Sequence, residues 1–118
     1  MNNKKLGTAF EKMIVKELAD TGAWVHFLTP DERGAQPFDI ITVKNNVAIA
    51  IECKTLTTDK RYFTINRLEA NQIFAFERWL SAGNASPMIL VEYGDKYVWI
   101  PYVELKEKKR IDMREVTE

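Results

Sequence analysis

A chain with one cysteine and one histidine has little room for thiolate or imidazole chemistry. Cys53 alone excludes an intrachain disulfide, fits a reducing compartment and reads as a small buried apolar residue. His26 has neither a second histidine nor a cysteine pair beside it, so no zinc-site spacing exists, and it reads as a strand histidine with a solvated tip. Charge of one sign is also missing: 17 basic residues balance 17 acidic ones, so the sum does not advertise a nucleic-acid binder. Metal-binding carboxylates and a basic groove would cancel in such a sum. No stretch is long enough to span a membrane, and the opening Met-Asn-Asn-Lys-Lys lacks the apolar run of a signal peptide. No repeat or low-complexity linker appears. These absences imply a single domain over 1–118, cytoplasmic and without a membrane partner.

What is present centres on residues 37–55. Two β-branched strands flank Asn45-Asn46, side chains that tolerate the positive φ of a tight hairpin turn. With those two as the loop, Lys44 faces Val47, Val43 meets Ala48, Ile41 meets Ala50 and Asp39 meets Glu52. Residues two apart share a face, so Lys54 joins them. Opposed Cβ atoms lie roughly 5 Å apart, where like charges repel. Both faces are otherwise apolar, with Ile41, Val43, Ala48 and Ala50 on one and Ile40, Ile49, Ile51 and Cys53 on the other. That is the pattern of central strands covered on both sides. Two carboxylates and an ammonium at the end of such a hairpin are accounted for by a divalent cation.

Around this hairpin, residues 5–22 read as an amphipathic helix ending at Gly22, with Leu6, Phe10, Ile14 and Leu18 recurring every four residues. Glu11 and Glu17 both fall inside the apolar arc, so angular position does not choose between them. Residues 23–28 read as a strand, and 29–36 as a polar loop in which Arg33 either reaches a phosphate or is simply solvated. Within 54–67, Lys54, Lys60, Arg61 and Arg67 face the single acid Asp59, interleaved with Tyr62 and Phe63. Such a run suits a nucleic-acid backbone; a solvated connector is the alternative.

Asn66 to Glu69 has the form of a capping box opening a helix that runs to Ser81 before Gly83. Gln72 falls in the middle of its apolar arc and must find hydrogen-bond partners. Phe74 points the other way, among Arg67, Asn71 and Arg78, as an exposed aromatic or a subunit contact. Residues 87–93 and 96–100 flank Gly94-Asp95 as a second hairpin, and a short helix begins near Pro101. Residues 106–118, charged with mixed sign, read as a surface helix or a tail. The order is helix, three strands, helix, two strands: an α/β fold around a mixed sheet, in which residues 66–82 supply the helical crossover that a parallel pairing requires.

Pro37-Phe38-Asp39 followed by Glu52-Cys53-Lys54 resembles the Asp…Glu-x-Lys signature of the PD-(D/E)xK nucleases. Gly7-Thr8-Ala9-Phe10-Glu11 in the preceding helix, Thr55 after Lys54, and Asn71-Gln72 in the following helix resemble the Holliday-junction resolvases of that superfamily. These are the bacterial RecU type and its short phage and archaeal relatives, and the order of elements is similar over about residues 6–105. The resemblance implies a restriction-endonuclease-like mixed β-sheet flanked by helices, an αβββαβ core plus an extra strand. It implies a Mg²⁺-dependent endodeoxyribonuclease, with Mn²⁺ as a substitute, that resolves four-way junctions in DNA recombination and repair.

On that resemblance Asp39, Glu52 and the backbone carbonyl of Cys53 hold the metal, Lys54 orients the attacking water or stabilises phosphoryl charge, and Glu11 and Gln72 complete the site, Glu11 as a further ligand. Arg33, Lys60, Arg61 and Arg67 are the expected DNA contacts, and a homodimer with two sites is the expected assembly. The chain departs from the longer RecU proteins in having no room for their inserted stalk. Two alternatives stay open: a nuclease of the same fold acting on flaps, ends or duplex DNA, and a non-catalytic DNA-binding module.

Overall fold

The computed structural model describes residues 9–28 and 36–118. Arg33, the loop expected over 29–36 up to residue 35, and the first residues of the expected N-terminal helix lie outside them. The elements are α1 (Ala9–Asp20), β1 (Trp24–Phe27), β2 (Ile40–Lys44), β3 (Val47–Leu56), β4 (Tyr62–Thr64), a 3₁₀ turn (Ile65–Arg67), α2 (Ala70–Ser81), β5 (Met88–Tyr93), β6 (Lys96–Pro101), α3 (Tyr102–Lys108), β7 (Arg110–Asp112) and α4 (Met113–Val116).

Five strands form one mixed sheet in the order β1-β2-β3-β5-β6. The β2–β3 hairpin has the register the turn residues imply, Lys44 opposite Val47 through Ile40 opposite Ile51. Asn45 and Asn46 both take positive φ, 53° and 68°, the backbone a two-residue hairpin of this twist demands. Among the described residues only β3 and β5 pair in parallel, from Ile51–Met88 to Leu56–Tyr93, and α2 lies in the crossover between them. The second hairpin, β5–β6, turns through Gly94 at φ 65°.

Both faces of the sheet are covered, as the doubly apolar hairpin requires. On one side Ala50, Leu56, Ile89 and Val91 pack with Phe76 of α2 and Tyr102 and Leu105 of α3. On the other, Ile40, Ile51, Cys53 and Leu90 pack with Phe10 and Ile14 of α1. The ring of Phe10 also stacks on Tyr97 of β6, 5.2 Å between centroids. Glu11 is buried while Glu17 is exposed, which settles what the helical arc left open.

Two elements differ from the expected pattern. The helix that Asn66 was expected to cap begins later. Residues 65–67 form the 3₁₀ turn, Leu68 is extended and buried, and Glu69 is the N-cap of α2 with Gln72 closing the capping box. Inserting Leu68 into the core requires extended backbone at the point where a continuous helix would have run. The charged C-terminal run is likewise neither one surface helix nor a tail. Its strand β7 pairs with β4 in a small second sheet, and Ile111 and Met113 are buried with Phe63 and Leu105.

The Arg61–Asp112 pair clamps this annex. Arg61 Nε and Nη2 donate to Asp112 Oδ2 at 3.0 and 2.9 Å, and the Arg61 carbonyl accepts from Met113 N–H. The guanidinium is the main cause holding the Asp112 carboxyl below its ordinary value, aided by the Glu115 and Arg114 N–H groups that it caps. A depressed folded-state value contributes stability above the unfolded value of about 3.9 and loses it as pH falls through the folded one. Asp112→Asn keeps a competent N-cap and removes the charge. It is therefore expected to lower the urea midpoint at pH 7, with the difference from wild type shrinking below about pH 4; a gap that stays constant down to pH 2 would contradict the assignment.

Candidate active site

Asp39 occupies a bend just before β2 and is fully buried. Its backbone is fixed from both neighbouring strands: Leu28 N–H donates to its carbonyl at 2.7 Å, and its own N–H donates to Ile51 O at 3.1 Å. The residues beside it anchor to different layers. Phe38 packs on Phe76 and Trp79 of α2, while Ile40 sits in the α1 core. Strict alternation would put residues 38 and 40 on one face, so the bend breaks the pleat at Asp39. Its carboxylate is turned toward the end of β3, where Oδ2 accepts from Cys53 N–H at 2.9 Å. Carboxylate oxygens of Glu11 and Asp39 and the sulfur of Cys53 all lie within 4.8 Å of one another.

Glu52 and Lys54 stand on the α2 side of the same strand. Glu52 Oε2 accepts from Gln72 Nε2 at 2.8 Å and lies 3.7 Å from Lys54 Nζ. The Gln72 amide is committed at both ends, because its Oε1 accepts from Glu69 N–H at 3.0 Å and closes the cap of α2. Since Glu52 offers only acceptors, this orientation of the amide follows from chemistry. The helix that crosses between β3 and β5 thus begins on a residue that also grips the strand.

The expected residues therefore form two groups, Glu11 with Asp39 and Glu52 with Lys54 and Gln72. Cys53 joins them, its N–H and sulfur on the first side while its chain neighbours stand on the second. A cleft of 320 Å³ is lined by Glu52, Cys53, Lys54, Gln72, Glu69, Asn71 and Gln36. The expected DNA contacts are placed less uniformly. Arg67 donates to Thr55 O and stacks over Phe63, and Lys60 is exposed. Arg61 is engaged by Asp112, and Arg33 lies outside the described residues.

Two further polar residues join the site without a signal in their own positions. Gln36 Nε2 donates to Asp39 Oδ1 at 2.7 Å, and Asn71 Nδ2 donates to Gln36 O at 3.1 Å. Gln36 carried no periodicity, ending a polar loop. Asn71 stood beside Gln72 in a recognisable pair, but its task depends on contact with a residue 35 positions away.

Glu11, Asp39 and Glu52 are each at least nine-tenths buried. Two buried carboxylates within 4.8 Å of each other, Glu11 and Asp39, call for compensating positive charge in a protein interior. Clustered hard oxygen donors are what a divalent cation of the Mg²⁺ or Mn²⁺ type takes, so the residues fit such an ion. The Cys53 thiol is soft and adds little to that affinity.

A family model for the archaeal Holliday junction resolvase, Hjc, matches residues 2–117. The chain belongs to the archaeal Holliday junction resolvase family. Among solved structures, Hjc of Archaeoglobus fulgidus, a Holliday junction resolvase from an archaeal hyperthermophile, superposes with a TM-score of 0.66. The two are 20% identical, and the match covers 91% of this chain and 87% of that one, a likeness of fold. Among curated proteins, none is significantly similar. The resolvase is a metal-dependent endonuclease that resolves four-way DNA junctions, and the mixed sheet flanked by helices is the expected nuclease fold. Among the described residues, no helix is long and apolar enough to cross a membrane.

Replacing Gln72 tests whether cap and site are one device. Gln72→Met keeps the volume but removes the acceptor of Glu69 N–H and the amide donor to Glu52 Oε2. A loss of about 1–3 kcal/mol in urea unfolding is expected, with junction cleavage down at least about tenfold. Wild-type stability would mean that the amide is replaceable.

Proposed function

We propose that the resolvase uses Mg²⁺ held by Asp39, Glu52 and the Cys53 backbone carbonyl, with Glu11 as a further ligand. The observation that carries this reading is the assembly around Cys53: buried carboxylates of Glu11 and Asp39 lie within 4.8 Å of each other and of its sulfur, and its buried neighbour Glu52 lines a cleft with it. When bound, such an ion supplies Lewis-acid stabilisation of phosphoryl charge and a template for the attacking water and the leaving alkoxide. Lys54, partly buried and 3.7 Å from Glu52, is placed to hold a water or a phosphoryl oxygen at the cleft. Gln72 keeps the Glu52 carboxylate in one orientation, and the Cys53 N–H does the same for Asp39. Exposed Lys60 and partly exposed Arg67, with Arg61 and Arg33, carry the backbone of the branched DNA; the Asp112 pairing makes Arg61 the weaker contributor. Acting on branched DNA, the enzyme works in the cytoplasm.

The same reading has the resolvase act as a homodimer, since a four-way junction presents two symmetry-related strands to cut. Phe74 on α2 supports this. It is 64% exposed, with Arg78 stacked over it at 5.8 Å, and borders an open groove formed with Pro37, Phe38 and Trp79. Phe74→Glu is expected to move the protein to the monomer in sedimentation velocity at micromolar concentration while its circular dichroism is kept. A wild type that sediments as a monomer throughout would remove the dimer from the reading.

Asp39→Asn tests the chemistry. One oxygen remains for the Cys53 N–H, and the Gln36 amide can rotate so that Oε1 accepts from the new amide. Folding should therefore hold within about 1 kcal/mol. Metal-free junction binding in gel shifts should hold or rise, because a negative charge near the phosphates is gone. Cleavage should fall about a thousandfold, as several kcal/mol of charge stabilisation are lost and each ~1.4 kcal/mol is tenfold. Lys54→Ala should also abolish cleavage but with weaker binding. Wild-type cleavage by Asp39→Asn would reject the mechanism.

A further inference from the structure

Gln36 is a buried member of this assembly whose amide, among the described residues, is used at one end only. Its Nε2 donates to Asp39 Oδ1 at 2.7 Å. Its Oε1 is buried and has no hydrogen-bond partner among the described residues, although the side chain is about nine-tenths buried and lines the cleft with Glu52, Cys53 and Lys54. A buried amide oxygen left without a donor costs about 1–3 kcal/mol, so its position asks for a donor that the described residues do not supply. The backbone at Gln36 is also pinned, by the side chain of Asn71 from the first turn of α2. The unused acceptor is thus held in place, with its amide bonded to a carboxylate expected to hold the metal.

We propose that Gln36 is a positioning residue of the metal centre. Its N–H₂ fixes the rotation of the Asp39 carboxylate, and its Oε1 accepts a hydrogen bond from a water in the hydration shell of the divalent cation. Such an ion keeps several of its waters and offers them as donors, which matches an oxygen acceptor lying in a cleft beside carboxylates. This inference rests on the metal reading given above and adds to it an outer partner drawn from the segment entering β2. Residues of this kind typically change metal affinity by 10–100-fold, because they orient a ligand and hold its water.

The test is calorimetric titration of the metal-free protein with Mn²⁺, alongside junction cleavage as a function of Mn²⁺. Gln36→Leu removes both ends of the amide and should weaken Mn²⁺ binding by about 10–100-fold. Its cleavage should recover as Mn²⁺ is raised, and its junction binding without metal should stay within about twofold. Gln36→Met keeps nearly the same length and volume without the amide and should weaken Mn²⁺ binding over the same range. Circular dichroism confirms that each variant is folded; if Gln36→Leu fails to fold, Gln36→Met decides alone. Wild-type Mn²⁺ affinity in folded Gln36→Leu or Gln36→Met overturns the proposal. Asp39→Asn separates the two ideas. If it loses Mn²⁺ binding while Gln36→Leu does not, only the role of Gln36 is wrong; if it binds Mn²⁺ like wild type, the metal reading falls and takes this inference with it.

Discussion

Negative charge held out of water is the constraint on which the rest of the architecture depends. Glu11, Asp39 and Glu52 come from a helix, a bend and a strand, and each is buried more completely than an isolated carboxylate tolerates. The protein meets that cost partly with directed dipoles. Asp39 takes N–H groups from Cys53 and Gln36, while Glu52 takes one from Gln72 and lies beside Lys54. The Cys53 and Gln72 donors are fixed by a strand and a helix cap, and the Gln36 backbone is tied to α2 through Asn71, which limits how far the carboxylates can relax. A centre held together in this way is organised for a cation before one arrives.

The sheet supplies the rigidity. Its central strand β3 is paired on both edges and packed on both faces, so Glu52, Cys53 and Lys54 present three adjacent side chains with alternating orientation and little freedom. That alternation lets one tripeptide serve both layers, with Cys53 toward α1 and its neighbours toward α2. The break in the pleat at Asp39 is the complementary device. It turns a residue belonging to one face by register toward a backbone N–H of the facing strand.

Much of this was legible in the sequence, for identifiable reasons. Asn45-Asn46 set the hairpin register, and period-two apolar residues on both faces announced central strands. The Asp39, Glu52 and Lys54 pattern carried the nuclease resemblance. What escaped was decided by contacts between distant segments. Glu11 and Glu17 are equivalent on a helical wheel, and only the way α1 lies on the sheet buries the first and exposes the second. Ile111 and Met113 are two apolar residues in a charged run, too few for a periodic signal, yet they seat β7 and α4 on the core. The helix α2 is capped at Glu69 rather than at the expected Asn66 because Leu68 enters the core on extended backbone. Gln36 had no local signal, since its meaning lies in the space beyond its amide.

The first turn of α2 carries consecutive side chains with separate duties. Asn71 holds the backbone of Gln36, and thereby the Asp39 side, while Gln72 holds Glu52. Helix ends open more readily than helix middles, and local opening of a few residues needs far less free energy than global unfolding. Loosening this single turn releases both halves of the centre together, since the cap bond from Glu69 and the bond to Glu52 share one amide. On the proposed site assignment, the fraction of molecules able to cut follows the opening equilibrium of one helical turn. Amide hydrogen exchange at Gln72 and Ile73, whose N–H groups both bond to Glu69 O, reads that equilibrium directly.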